Sequence, residues 1–167
     1  MVTMKENKDG APFLLNKEDY ELISDIAEAI VPSGDNPDEE PGSREVGTIN
    51  YIDSVLLDAE DAEMKMLRDV LSAIRSETRR QGAVDFRELS AEKKHLLLNG
   101  LFDRGKTKDA YIFLRSLCLE GFYSDYHDPD YNGVTAWKLL EFGGPRISEL
   151  DKDWSFLRIY SDSKEKV

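Results

Sequence analysis

Between Asn16 and Phe122 the apolar residues return at three- and four-residue intervals, and nowhere does an alternation of polar and apolar residues persist long enough to build a strand. That spacing lays an apolar stripe along each of several helices. Asn16-Lys17-Glu18-Asp19 reads as an N-cap with acids in the first turn, and Leu22, Ile23, Ile26, Ala29 and Ile30 follow at helical spacing until Pro32. From Ser33 to Ser43 the composition changes to SGDNPDEEPGS, too polar and too broken to pack, which predicts an exposed loop. Val46, Ile49, Tyr51, Ile52, Val55 and Leu56 resume the pattern, and Met64, Leu67, Val70, Leu71 and Ile74 carry the next helix out to Gly82. Arg75, Arg79 and Arg80 near that end suit the negative pole of a helix dipole.

Beyond this point Asp85-Phe86-Arg87-Glu88-Leu89 predicts a single turn, and Ser90 caps a helix containing Leu96, Leu97, Leu98, Leu101 and Phe102. Thr107 caps another, with Ala110, Tyr111, Phe113, Leu114, Leu117 and Cys118 as its buried stripe and Gly121 near its end. Val134 to Phe142 allows a short helix that Gly143-Gly144-Pro145 stops, and Ile147 to Tyr160 keeps enough apolar residues to lie along the body. The predicted class is all-α: an irregular bundle of about five or six helices with a long ordered loop near the C-terminus. A chain of 167 residues that is 40% apolar is long enough for one core. The expected organisation is a flexible segment over 1–15, a single helical domain over 16–160 and a flexible tail over 161–167.

Charge narrows the partners. Against 34 acids stand 22 lysines and arginines, a net charge of −12 that repels phosphate backbones and anionic membrane surfaces. Nucleic-acid binding and direct membrane insertion are not expected. The N-terminus, MVTMKENKDGAPF, shows neither the apolar core of a secretory signal nor a twin-arginine pair. As written, the chain is expected to be cytoplasmic, or periplasmic if a twin-arginine leader has been removed. One cysteine, Cys118, permits no internal disulfide.

Chemistry-bearing patterns are incomplete. Asp128-x-Asp130-x-Asn132-Gly133 matches the first half of an EF-hand loop, but the twelfth position, where a bidentate glutamate belongs, is Leu139. Glu92-Lys93-Lys94-His95 offers one Glu-x-x-His copy where a di-iron bundle needs two and further glutamates. Cys118 lies on an apolar stripe and reads as a small core hydrophobe, not a reactive thiolate. His127 flanked by Asp125 and Asp128 has no nucleophile placed by spacing, and no glycine-rich phosphate loop occurs. A free-standing metal-binding or metal-dependent enzyme using the Asp125–Asn132 loop, His127 with Asp125, Asp128 and Asp130, is the alternative reading. A flavoenzyme in its own right is disfavoured, because no dinucleotide fingerprint exists. More unusual is the density of rings: Phe113, Phe122, Tyr123, Tyr126, Tyr131, Trp137 and Phe142 fall within thirty residues. Such rings suit desolvated protein contacts.

Several segments together resemble the gluconate 2-dehydrogenase subunit 3 family. They are Glu28-Ala-Ile-Val-Pro32, Val46-Gly47, Tyr51-Ile52-Asp53, Phe86-x-x-Leu89-Ser90 and above all Glu120-Gly-Phe-Tyr-Ser-Asp125, followed by Tyr131-Asn-Gly133, Trp137 and Phe142-Gly-Gly-Pro145. The resemblance implies a non-catalytic small subunit, with no cofactor of its own, bound to a large FAD-dependent dehydrogenase of the glucose-methanol-choline type that oxidises a sugar, sugar acid or related alcohol. It further implies that electrons pass on to a cytochrome c subunit or another acceptor, and that the small subunit assists folding and export of the large one. The twin-arginine leader of the family is not seen here, and its short glycine-rich turn is replaced by a longer, more acidic loop containing Tyr126-His127-Asp128. On this reading Phe122, Tyr123, Tyr126, Tyr131, Trp137 and Phe142 are expected at the partner interface, with Asp125, Asp128, Asn132 and Gly133 ordering the loop.

Overall fold

A computed structural model describes residues 14–103, 105, 107–124 and 133–142. Among the described residues six α-helices follow one another: α1 (Lys17–Ile30), α2 (Thr48–Val55), α3 (Asp61–Arg80), α4 (Ala91–Asp103), α5 (Lys108–Tyr123) and α6 (Ala136–Leu139). Two 3-10 turns, Leu56–Asp58 and Phe86–Glu88, join α2 to α3 and precede α4. No strand occurs among the described residues, so the all-α expectation holds.

The helices start where local chemistry says they should. Asn16 caps α1, its Oδ1 accepting the Asp19 amide at 2.9 Å, and α3 opens with a reciprocal capping box between Glu60 and Glu63. Ser90 Oγ accepts the Lys93 amide ahead of α4. Thr107 does precede α5, but its hydroxyl donates to the Leu101 carbonyl at 3.2 Å and makes no cap bond to the helix it introduces. At the other end of α3, Gly82 turns the chain with φ of 83°, a left-handed value that glycine adopts without strain.

α5 is the central element and packs against α1, α2, α3, α4 and α6. Leu114 and Cys118 are fully buried on it, facing a core that includes Ile23 and Ile26 of α1, Ile52 of α2, Val70 and Ile74 of α3, and Leu98 and Leu101 of α4. Two members of the predicted α4 stripe depart from it: Leu96 and Phe102 face outward. Three consecutive leucines sweep through most of a helical turn, so they cannot all share one face.

The loop after α1 is not wholly exposed. Gly34 to Glu40 face solvent, but Pro41, Gly42 and Ser43 are buried. The Ser43 amide donates to the Val31 carbonyl at 2.9 Å, and a Cβ on Gly42 would stand 2.4 Å from the Ser33 nitrogen. Absence of a side chain lets the returning backbone lie on the departing one. Glu28 then locks the crossing, its two carboxylate oxygens accepting the amides of Ser33 and Arg44, while the Arg44 guanidinium reaches Asp25 at 2.8 Å.

Asp53 is the most consequential polar residue of the interior. It is 1% exposed, and its carboxylate accepts the amides of Leu14 at 3.1 Å and Leu15 at 2.9 Å, holding the segment ahead of α1 on α2. A buried carboxylate is tolerated when backbone donors satisfy it. Asp53→Ala is expected to lower unfolding free energy by about 2–3 kcal/mol in urea titration, because charge-assisted bonds to buried donors are lost together; a change below about 0.5 kcal/mol would show that the tether is dispensable.

Candidate partner interface

The C-terminal end of α5 is built by a close approach of two helices. A Cβ at Gly121 would lie 2.9 Å from Thr48 Cγ2, 3.0 Å from Tyr51 Cδ1 and 3.1 Å from the Thr48 carbonyl oxygen. Only glycine allows α2 and α5 to come this near. One turn away, Tyr51 hydrogen-bonds Glu120; burial first, then the Glu120 charge and that bond, push the phenol's pKa above its ordinary value. Gly47, at φ 72°, occupies the N-cap of α2 and brings Thr48 to this contact.

On this foundation stands a second, smaller core. Phe122, Val46 and Ala136 bury one another, with Val31 packed alongside. Four segments meet here: the end of α1, the turn before α2, the end of α5 and the start of α6. Trp137 ties the last of these down, its indole Nε1 donating to the Tyr123 carbonyl at 2.7 Å, and Ser124 Oγ donates to the Gly121 carbonyl. Both satisfy carbonyls that a helix C-terminus otherwise leaves without intrahelical partners.

α6 ends in a Schellman motif. The Phe142 amide donates to the Trp137 carbonyl at 2.8 Å and the Glu141 amide to the Lys138 carbonyl at 3.1 Å, with Glu141 in the left-handed region at φ 51°. The apolar contact that accompanies such caps is present as an edge-to-face pair, Trp137 against Phe142 at 4.9 Å between centroids. A second edge-to-face pair joins Phe122 to Tyr123 at 5.0 Å. The outcome is a ridge on which Tyr123 is 49% exposed, Phe142 51% exposed, and Leu139 and Leu140 also face solvent.

The expected interface residues therefore divide. Tyr123 and Phe142 stand exposed, Trp137 is half-buried beneath Phe142, and Phe122, 5% exposed, turns inward as a support instead of a contact. Its position on α5, next to Gly121, points it at Val46 and Ala136. Gly133 contributes a carbonyl that accepts Lys138 Nζ at 3.2 Å. Tyr126, Tyr131, Asp125, Asp128, Asn132, His127 and Asp130 lie outside the described residues. Glu92 and His95 are exposed on α4, and no group of three or more His, Cys, Asp or Glu able to hold a metal occurs among the described residues. Cys118 is in the core, where burial pushes its thiol from 9.0 to about 12. Sequence reasoning missed Leu139 and Leu140 as exposed members of the ridge; Gly144 and Pro145 nearby signalled only that a helix stops.

An all-α bundle bearing an aromatic ridge on a satellite core is the class of protein these residues define. The chain belongs to the gluconate 2-dehydrogenase subunit 3 family, whose model matches residues 17–144. The name designates one subunit of a multi-subunit gluconate dehydrogenase. No curated protein and no solved structure matches the chain. The matched span includes the segments that the structure draws together: Glu28 at the loop crossing, Val46 and Gly47, Tyr51, and Glu120 to Phe122.

Gly121→Ala, which in an open helix would gain up to about 1 kcal/mol in propensity, is expected instead to destabilise by about 1–3 kcal/mol through overpacking against the α2 backbone. A rise in the thermal midpoint would contradict the close approach. Cys118 should resist a disulfide reagent at pH 8 in the folded protein and react fully in denaturant. Because its folded pKa is the higher one, the unfolded chain ionises first, so this thiol's contribution to stability falls as pH rises from about 9 toward 12; Cys118→Ser should flatten that alkaline slope.

Proposed function

We propose that this chain is a non-catalytic accessory subunit that clamps and stabilises a large FAD-dependent dehydrogenase of the glucose-methanol-choline type, with a sugar, sugar acid or related alcohol as the substrate of that larger chain. The reading rests on family membership and on one observation: Tyr123, Leu139, Leu140 and Phe142 are exposed on a ridge seated on the satellite core. Rigid aromatic side chains contribute large desolvated area at small entropic cost, which is the character of interface anchors. Exposed apolar clusters of this kind are a liability for a chain standing alone. FAD belongs to the partner in this reading, and a cytochrome c subunit or another acceptor takes the electrons onward.

Purified from its native host, the chain should arrive at equal stoichiometry with a larger, yellow, FAD-bearing polypeptide. Replacing both Tyr123 and Phe142 by alanine should weaken that complex by at least about tenfold, since truncated anchors cost more than about 1 kcal/mol each, while circular dichroism of the small subunit stays helical. A well-behaved monomer that ignores the flavoprotein, or a double variant that binds it as tightly as the parent, overturns the proposal.

A further inference from the structure

A second apolar surface adjoins the ridge. Phe113, Ser116, Leu117 and Glu120 fall at spacings of three and four along α5 and so share one face, and Tyr123 continues it three residues on. Across from them run Val55, Leu56, Asp58 and Ala59 at the end of α2 and its 3-10 turn, with Glu63 from the first turn of α3. Together these residues enclose a groove of about 410 Å³. Its apolar members are Val55, Leu56, Ala59, Phe113 and Leu117. Leu57, beside it in sequence, is exposed.

Among the described residues, the charges lining this groove have one sign: Asp58, Glu63 and Glu120 line it, and no lysine or arginine does. Two of the three are held in place: Glu63 Oε2 accepts the Glu60 amide at 2.8 Å, and Glu120 is bonded to Tyr51. The groove beneath α1 differs, since Glu18, Glu21 and Asp85 there are matched by Arg75, Arg79 and Arg87. An apolar trough with a fixed acidic rim selects a complementary surface with apolar residues along its centre and cations at its edge.

We infer that this groove seats a basic amphipathic helix of the large subunit, apolar residues inserted between Val55 and Phe113 and lysines or arginines against Asp58, Glu63 and Glu120. The inference rests on the accessory-subunit reading for the identity of the partner, and on the groove's own residues for the chemistry of the contact. It extends the interface along α5 from the aromatic ridge toward the α2–α3 junction.

The probe is a labelled 18-residue helical peptide with leucines on one face and lysines on the other, titrated into the full chain with anisotropy and backbone amide shifts as readouts. Saturable binding is expected, weaker at 300 mM than at 50 mM salt, with shifts centred on Val55, Phe113, Ser116 and Glu120. Asp58→Lys combined with Ser116→Arg, both exposed positions, should reduce affinity at least tenfold, whereas Val84→Ser, an exposed position lining the groove beneath α1, should leave it unchanged. Equal binding of a control peptide carrying glutamates in place of lysines, shifts centred elsewhere, indifference to the charge reversal, or no binding overturns the inference. With the flavoprotein itself, a complex weakened by loss of Tyr123 and Phe142 but untouched by Asp58→Lys/Ser116→Arg rejects the groove and leaves the accessory-subunit reading standing. Loss of neither rejects both.

Discussion

The approach of α2 to α5 across Gly121 governs the rest of this end of the molecule. Helices with ordinary side chains between them sit some 8–10 Å apart at their axes, and a glycine at the crossing allows the smaller spacings of that range. With the backbone of Thr48 against Gly121, Tyr51 is brought to Glu120 and Phe122 is aimed at Val46. The satellite core, the seating of α6 and the exposure of Tyr123 all inherit their positions from that one contact.

Interior and surface roles alternate along a few residues of α5. Glu120 is exposed and bonded to Tyr51, Gly121 and Phe122 are buried, and Tyr123 is exposed again. Helical geometry alone produces this alternation, because consecutive residues are separated by about 100°. A segment that reads in sequence as one aromatic cluster is thus split by the helix into a buried pillar and an exposed ring. The same logic applies to Trp137 and Phe142, where the indole is spent on the Tyr123 carbonyl and the ring beyond it is left facing solvent.

Much of the fold was legible from spacing and caps. Asn16, Pro32, Gly82, Ser90 and the Phe86–Glu88 turn mark boundaries through local backbone chemistry, which depends on few neighbours. Burial of Pro41 to Ser43 was not legible, since it depends on Glu28, thirteen or more residues earlier in the chain, reaching back to cap the crossing. The outward turn of Leu96 and Phe102 was hidden by a run of leucines compatible with more than one face. Asp53 read only as a polar member of a family segment, although its carboxylate holds a backbone nearly forty residues away. Of the candidate interface, the rings were visible as composition; which of them would face outward is a property of the helix phase and of what each ring meets.

Glutamate in the left-handed well at position 141 has a further implication. For an L-residue this conformation lies roughly 1 kcal/mol or more above the right-handed one, so it is retained because the Schellman bonds and the Phe142–Trp137 edge contact favour it. Backbone geometry and ring placement there form a single latch: lifting the Phe142 ring off the indole removes one of the two supports for the unusual torsion, and pressing the ring down reinforces it.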